Sequence, residues 1–79
     1  MKARVEVFLK PGVLDVQGKA IEAALHGLGF TGAGNVRVGR VISLDLATAD
    51  KAEAEAQLKA MSDRLLANPV IESYRVEVE

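Results

Sequence analysis

Asn35-Val36-Arg37-Val38-Gly39-Arg40-Val41-Ile42-Ser43-Leu44-Asp45-Leu46-Ala47 is the stretch whose reading decides the fold. It is either one long strand or a hairpin turning at Gly39-Arg40. In a single strand alternate residues share a face, and Val36, Val38, Ile42, Leu44 and Leu46 all fall at even positions, interrupted only by Arg40. A two-residue hairpin would set Val38 opposite Val41 and Val36 opposite Ser43, sending Ile42 and Leu44 to the other face. Parity therefore predicts one long strand over 35–47, with Gly39 marking a bend or bulge.

Upstream, Ala3 to Leu9 alternates strictly: Ala3, Val5, Val7 and Leu9 share one face and Arg4, Glu6 and Phe8 the other, the pattern of a half-buried strand. Lys10-Pro11-Gly12 ends it, because proline has no amide hydrogen to donate. Asp15 then reads as an N-cap whose carboxylate accepts from the free amides of a first helical turn. The helix it opens runs from about Val16 to Leu28, with Ile21, Ala24, Leu25 and Leu28 as its apolar stripe and Gly29 as a left-handed C-cap.

Downstream, Asp50 opens a second helix, with Glu53 three residues on in the manner of a capping box. Ala54, Leu58, Met61 and Leu65 give its apolar stripe, and Asn68-Pro69 ends it. A closing strand follows from about Val70 to Val78, with Val70, Tyr74, Val76 and Val78 on one face. The expected fold is a single α+β domain over 1–79, a two-layer sandwich in the order strand-helix-strand-helix-strand. It has a long bent central strand and two helices on one face of an antiparallel sheet.

A chain of 79 residues has a small core, and natural domains of this size recruit disulfides, a metal or other subunits. There is no Cys and one His, His26, so neither a disulfide framework nor a zinc site of the usual Cys/His type can be built. Association with other chains is the remedy left, and a homodimer or higher homo-oligomer is expected. Ten basic and eleven acidic side chains, without a Lys/Arg cluster, lack the footprint of a nucleic-acid binder. No apolar run approaches the ~20 residues of a membrane span, and Met1-Lys2-Ala3-Arg4 leads straight into alternating sequence, so a cytoplasmic location is expected.

Candidates for chemistry are few. Gly27-Leu28-Gly29-Phe30-Thr31-Gly32 matches the spacing of dinucleotide-binding loops, but it follows a helix and leads into a strand, the reverse of what places a pyrophosphate at a helix N-terminus. Val16-Gln17-Gly18 after a first strand resembles the phosphate loop of acylphosphatases, yet the arginine that holds the anion there is missing. His26 has no neighbouring Asp or Ser to orient it as a general base and suits the negative end of its helix. Glu53, Glu55 and Asp63 read as a solvated face rather than a cation site. The stretch Lys10, Pro11, Gly12, Val13, Leu14, Asp15, Gln17, Gly18 presents backbone and apolar side chains together, which suits docking against another protein. An ordinary strand-to-helix connection, with Leu14 stapled onto its own helix, fits the composition equally well.

Leu9-Lys10-Pro11-Gly12-Val13-Leu14-Asp15, continuing to Gln17-Gly18-Lys19-Ala20, resembles the opening of the PurS family, small subunits of phosphoribosylformylglycinamidine synthase. Asn35-Val36-Arg37-Val38-Gly39-Arg40 resembles that family's second-strand segment. Leu65-Leu66-Ala67-Asn68-Pro69-Val70-Ile71-Glu72, with Tyr74, resembles its closing segment. Val16 stands where the family often has proline, a rigidifying choice at a first helical position and no more.

The resemblance implies an accessory, non-catalytic subunit in purine biosynthesis. It would bridge a synthetase and a glutaminase subunit that convert formylglycinamide ribonucleotide, glutamine and ATP into the amidine, with ammonia passing between their sites. It further implies that this chain binds no cofactor, ATP and magnesium being used by the synthetase subunit. The segments expected to touch partners are Lys10 to Gly18 and the Asn68-Pro69 turn; whether Arg37, Arg40 and Tyr74 also do so stays open. The other reading is a small α+β regulatory module binding an effector at an oligomer interface, which needs a pocket with convergent polar groups.

Overall fold

The computed structural model describes all 79 residues. Strand β1 spans Lys2–Leu9, helix α1 Val16–Gly27, strand β2 Gly39–Asp45, helix α2 Lys51–Met61 and strand β3 Glu72–Val78. The three strands form one antiparallel sheet in the order β2-β1-β3. The α+β class and the order of elements are as expected.

Because β1 is hydrogen-bonded on both sides, its inward residues are sealed: Val5 is 0% exposed and Val7 1%. Ala54 and Leu58 of α2 close over them, joined by Ala3, Leu46 and Ala67, with Ile42, Leu44, Tyr74, Val76 and Val78 half-buried at the margin. The opposite face of the sheet is mostly polar, with Phe8 and Val41 exposed on it. Arg4 pairs across with Glu77 at 2.6 Å, and Arg75 with Glu6 at 2.7 Å. These exposed pairs fix cross-strand register more than they add stability, since water screens them.

Four expectations are corrected. First, the long central strand is not formed: the ladder begins at Gly39, and β2 lies at an edge of the sheet. The hairpin is absent as well, so parity holds for Ile42 and Leu44, whereas Val36 and Val38 lie in an irregular segment without a ladder partner. Asn35, at φ 53°, is in the left-handed region, which no strand accommodates. Gly39 is required by proximity, since a Cβ there would sit 2.6 Å from the carbonyl oxygen of Val7.

Second, only one helix covers the sheet. α2 packs on β3 and β1, whereas α1 packs on none of the strands to any comparable extent. Its expected core stripe is open, Ile21 being 39% and Leu28 74% exposed. The molecule is accordingly drawn out to 48 × 25 × 14 Å.

Third, the end of α2 is not regular. Residues Ser62–Leu66 form a π-helical turn, closed by Ala67 N–H donating to the Ser62 carbonyl five residues back. Ser62, one α-helical turn beyond Leu58, is buried, and the extra residue in the turn that follows it carries Leu65 out of the stripe, 82% exposed. The Ser62 hydroxyl is satisfied by the Leu58 carbonyl at 2.8 Å. Fourth, β3 starts at Glu72, and Val70, expected on its inner face, is exposed in the turn before it.

The helix starts were read correctly. Asp15 accepts from Gly18 N–H, and Asp50 from Ala52 and Glu53 N–H. At α2 the reciprocal partner is Thr48, whose hydroxyl oxygen accepts from Asp50 N–H and whose hydroxyl donates to Glu53. Gly29, at φ 99°, makes the left-handed exit from α1.

Candidate functional site

The two segments singled out for partner contact, distant in sequence, meet at one end of the sheet. Lys10 joins them. Its N–H donates to the Ile71 carbonyl at 2.9 Å, and its ammonium donates to the Pro69 carbonyl at 2.7 Å. Its own carbonyl accepts from Arg37 at 3.3 Å and from Val13 N–H at 3.1 Å. This second bond folds Pro11-Gly12 into a tight turn with Gly12 at φ 90°.

From that turn the chain exposes Leu14 (69%), which is therefore not stapled onto α1, and it buries the next residue, Asp15. The Asp15 carboxylate accepts from Gly18 N–H at 2.7 Å and from Val38 N–H at 2.6 Å. Both backbone donors hold its pKa below the usual carboxylate value, Val38 more than Gly18. One carboxylate thus caps α1 and ties it to the returning segment. Gln17 is exposed, whereas Gly18 is buried against the Val36 carbonyl.

Two further helical side chains repeat the pattern. Glu22 accepts from Val36 N–H at 3.3 Å, and the His26 Nε2–H donates to the Ala33 carbonyl at 2.5 Å. Residues 15, 22 and 26 lie on one face of a helix. They clamp residues 33–38 along α1 by side chain to backbone, in place of a strand ladder. Sequence reading missed this use of Glu22 and His26; the only signal was their spacing from Asp15.

On the other side of the site, Asn68 N–H donates to Glu72 at 2.7 Å, and the Asn68 carbonyl accepts from Glu72 N–H at 2.7 Å. Arg40 donates to both Glu72 oxygens, at 2.6 and 3.2 Å, and to the Leu66 carbonyl at 2.6 Å. Arg40 therefore serves the turn of its own chain, joining β2 to the end of α2 and the start of β3. Tyr74 donates to Asp63 at 2.9 Å, which raises its pKa, and so also braces its own fold. The two segments joined by Lys10 expose apolar side chains, Leu14 and Val16 (71%) in the first and Val70 (78%) and Ile71 (40%) in the second.

Glu72 gives the network a pH signature. The Arg40 guanidinium first, and Asn68 N–H second, lower its pKa below the usual 4.5. A carboxyl depressed by folding contributes stability that is complete above its unfolded pKa and is lost as pH falls through its folded value. Melting temperature is therefore expected to drop on acidification below about pH 4.5. Glu72→Gln should lower it at pH 7 and shrink that acid-side drop; an unchanged profile in the variant would show that Glu72 does not carry it.

No nucleophile stands beside a base in this region, and no three His, Cys, Asp or Glu side chains converge anywhere as a metal set. Two open cavities flank the site, about 270 Å³ between Phe8, Gln17, Arg40 and Glu72 and about 310 Å³ between Asp63, Pro69, Glu72 and Tyr74, and a third of about 360 Å³ is a charged groove along Lys2, Arg4, Glu77 and Glu79.

The comparisons with known proteins agree on one family. The family model described as phosphoribosylformylglycinamidine (FGAM) synthase, PurS, matches residues 2–79. A Synechocystis protein named phosphoribosylformylglycinamidine synthase subunit PurS is 47% identical over 75 residues, covering 95% of this chain and 75% of that one. The C2 crystal form of Bacillus subtilis PurS is 42% identical and superposes with a TM-score of 0.87, covering 99% of this chain and 96% of that one. A chain in the structure of PurLQS from Thermotoga maritima, 30% identical, superposes at 0.88 over 96% of this chain and 93% of its own length. Sequence blocks, fold and family model coincide from one end of the chain to the other, and the chain belongs to the PurS family.

Proposed function

We propose that the chain is the accessory, non-catalytic subunit of an ATP-dependent phosphoribosylformylglycinamidine synthase in de novo purine biosynthesis, acting in the cytoplasm as a homodimer or higher homo-oligomer. In this reading it bridges the synthetase subunit, where ATP and magnesium are used, and the glutaminase subunit, where glutamine yields ammonia. The observation that carries the reading is the near-complete superposition on a chain of a PurLQS assembly. Ammonia released at one site and consumed at another is lost if the two are not held together, so a subunit with no chemistry of its own raises turnover by fixing their geometry.

The docking surface is the end of the sheet where Lys10, Pro11, Gly12, Val13, Leu14, Asp15, Gln17 and Gly18 meet Asn68 and Pro69. Leu14 and Val70 are its apolar anchors, since exposed side chains on a rigid frame lose little entropy when they bind. The test is retention of the synthetase and glutaminase subunits by an immobilised Leu14→Asp/Val70→Asp variant. Both positions are solvent-facing, so the variant folds, and its affinity for at least one subunit falls by roughly a hundredfold. Retention of both subunits at wild-type affinity would overturn this assignment of the surface.

A further inference from the structure

The two carboxylates at the junction of the partner-contact segments are both engaged from within the chain. Asp15 accepts from Gly18 and Val38 N–H, and Glu72 from Asn68 N–H and the Arg40 guanidinium. The two other cations of the junction are left without an acid. Arg4, Arg40 and Arg75 each meet a carboxylate oxygen at 2.6–2.7 Å, whereas Arg37 donates to the Lys10 carbonyl and the Lys10 ammonium to the Pro69 carbonyl.

Those carbonyls set the two cations beside the exposed apolar side chains. The Lys10 carbonyl closes the turn that ends at Val13, one residue before Leu14, and the Pro69 carbonyl is one residue before Val70. Val38 and Gly18 N–H are the main causes of the low pKa of Asp15, and the charge of Arg37 comes after them. Asp15 is nevertheless 5% exposed, with both oxygens accepting from backbone, so it offers Arg37 no bond. An ammonium has three donors and a guanidinium five, and each uses one here, which leaves the fork of Arg37 free for a carboxylate. On a chain of net charge -1, this corner of the surface is locally positive.

We infer that the missing counter-charge belongs to the docking partner: the subunit face that seats Leu14 and Val70 is apolar at its centre and carries carboxylates opposite Arg37 and Lys10. The inference rests on the docking surface proposed above and adds the chemistry of what it meets. Opposed charges at the rim of an interface speed encounter and fix orientation more than they add affinity.

The test follows association of the synthetase and glutaminase subunits, each separately, with the immobilised chain at about 0.05 and about 0.5 M NaCl, which brackets the ~10 Å screening length of 0.1 M salt. For the subunit that docks here, the association rate is expected to fall at least roughly tenfold across that range. Lys10→Gln/Arg37→Gln, whose amides can still donate to the two carbonyls, is expected to associate at the slower rate at both salt concentrations, with dissociation little changed. Lys10→Gln/Arg37→Lys should recover part of the salt response. Lys2→Gln/Lys51→Gln removes the same charge at the opposite end of the sheet and should behave as wild type.

Salt-insensitive association of a subunit that still requires Leu14 and Val70 overturns the acidic face and leaves the docking surface standing. Retention of neither subunit overturns both. Equal losses from the near and far glutamine pairs would reduce the effect to net charge and overturn the inference. It is overturned too if inorganic phosphate shifts the amide resonances of Lys10 and Arg37 while both subunits bind independently of these residues, or if the Lys10/Arg37 variant alters self-association alone.

Discussion

Leu58→Ala is expected to leave the isolated chain mostly unfolded at 25 °C. Leu58 is 0% exposed and is the largest fully buried side chain, resting on the β1 floor of Val5 and Val7. Truncating such a leucine costs about 2–5 kcal/mol, and a core of this size supplies only ~3–5 kcal/mol in total. Urea titration followed by circular dichroism reads the outcome. The cooperative transition should be lost or shifted close to zero denaturant, while Leu58→Met, which conserves volume, keeps most of it. A Leu58→Ala protein with the wild-type midpoint would mean that the core is not organised around this contact.

Gly18→Ala should be nearly as damaging, for a reason found in the backbone. Gly18 lies in the first turn of α1, where alanine ordinarily improves a helix. Here the added Cβ would run into the Val36 carbonyl oxygen and come within 2.9 Å of the Asp15 carboxyl group that both Gly18 and Val38 bind. Neither neighbour is the free end of a flexible side chain, so the clamp between α1 and residues 33–38 must open. The melting temperature should fall by roughly 5–20 °C, as for an overpacked site in a small domain. Hydrogen exchange at the Val36 and Val38 amides should rise with it. Gly27→Ala is the internal comparison: nothing lies within 4 Å of its Cβ position, and its melting temperature should hold or increase. Equal stability of the two alanine variants would contradict the clamp.

Local chemistry was legible in the sequence and register over a distance was not. The alternation of Ala3, Val5, Val7 and Leu9, the caps at Asp15 and Asp50 and the left-handed exit at Gly29 are dictated by residues within a few positions of one another, and all are present. The π-helical turn at Ser62–Leu66 is invisible to a fixed helical period, which puts Leu65 on the apolar stripe, whereas it is exposed.

The larger misreading concerned α1. Its stripe of Ile21, Ala24, Leu25 and Leu28 is a genuine apolar face, but a periodic pattern shows that a face is to be covered and not by which chain. For the candidate site, the sequence supplied the two segments. Their junction through Lys10, and the Arg40–Glu72 pair beneath it, depend on bonds between residues 32 to 59 positions apart. No local pattern carries that information.

Contact at that junction, rather than a reacting side chain, is what this chain is held to contribute to synthesis of the amidine. The most direct measurement compares product formation by the synthetase and glutaminase subunits with and without the chain, using either glutamine or free ammonium as nitrogen donor in the presence of ATP. Omission should abolish or sharply reduce the glutamine-dependent reaction, the ammonium-dependent one should persist, and the chain alone should turn over nothing. Glutamine-dependent synthesis that proceeds at full rate without it, or turnover by the isolated polypeptide, would contradict the bridging role.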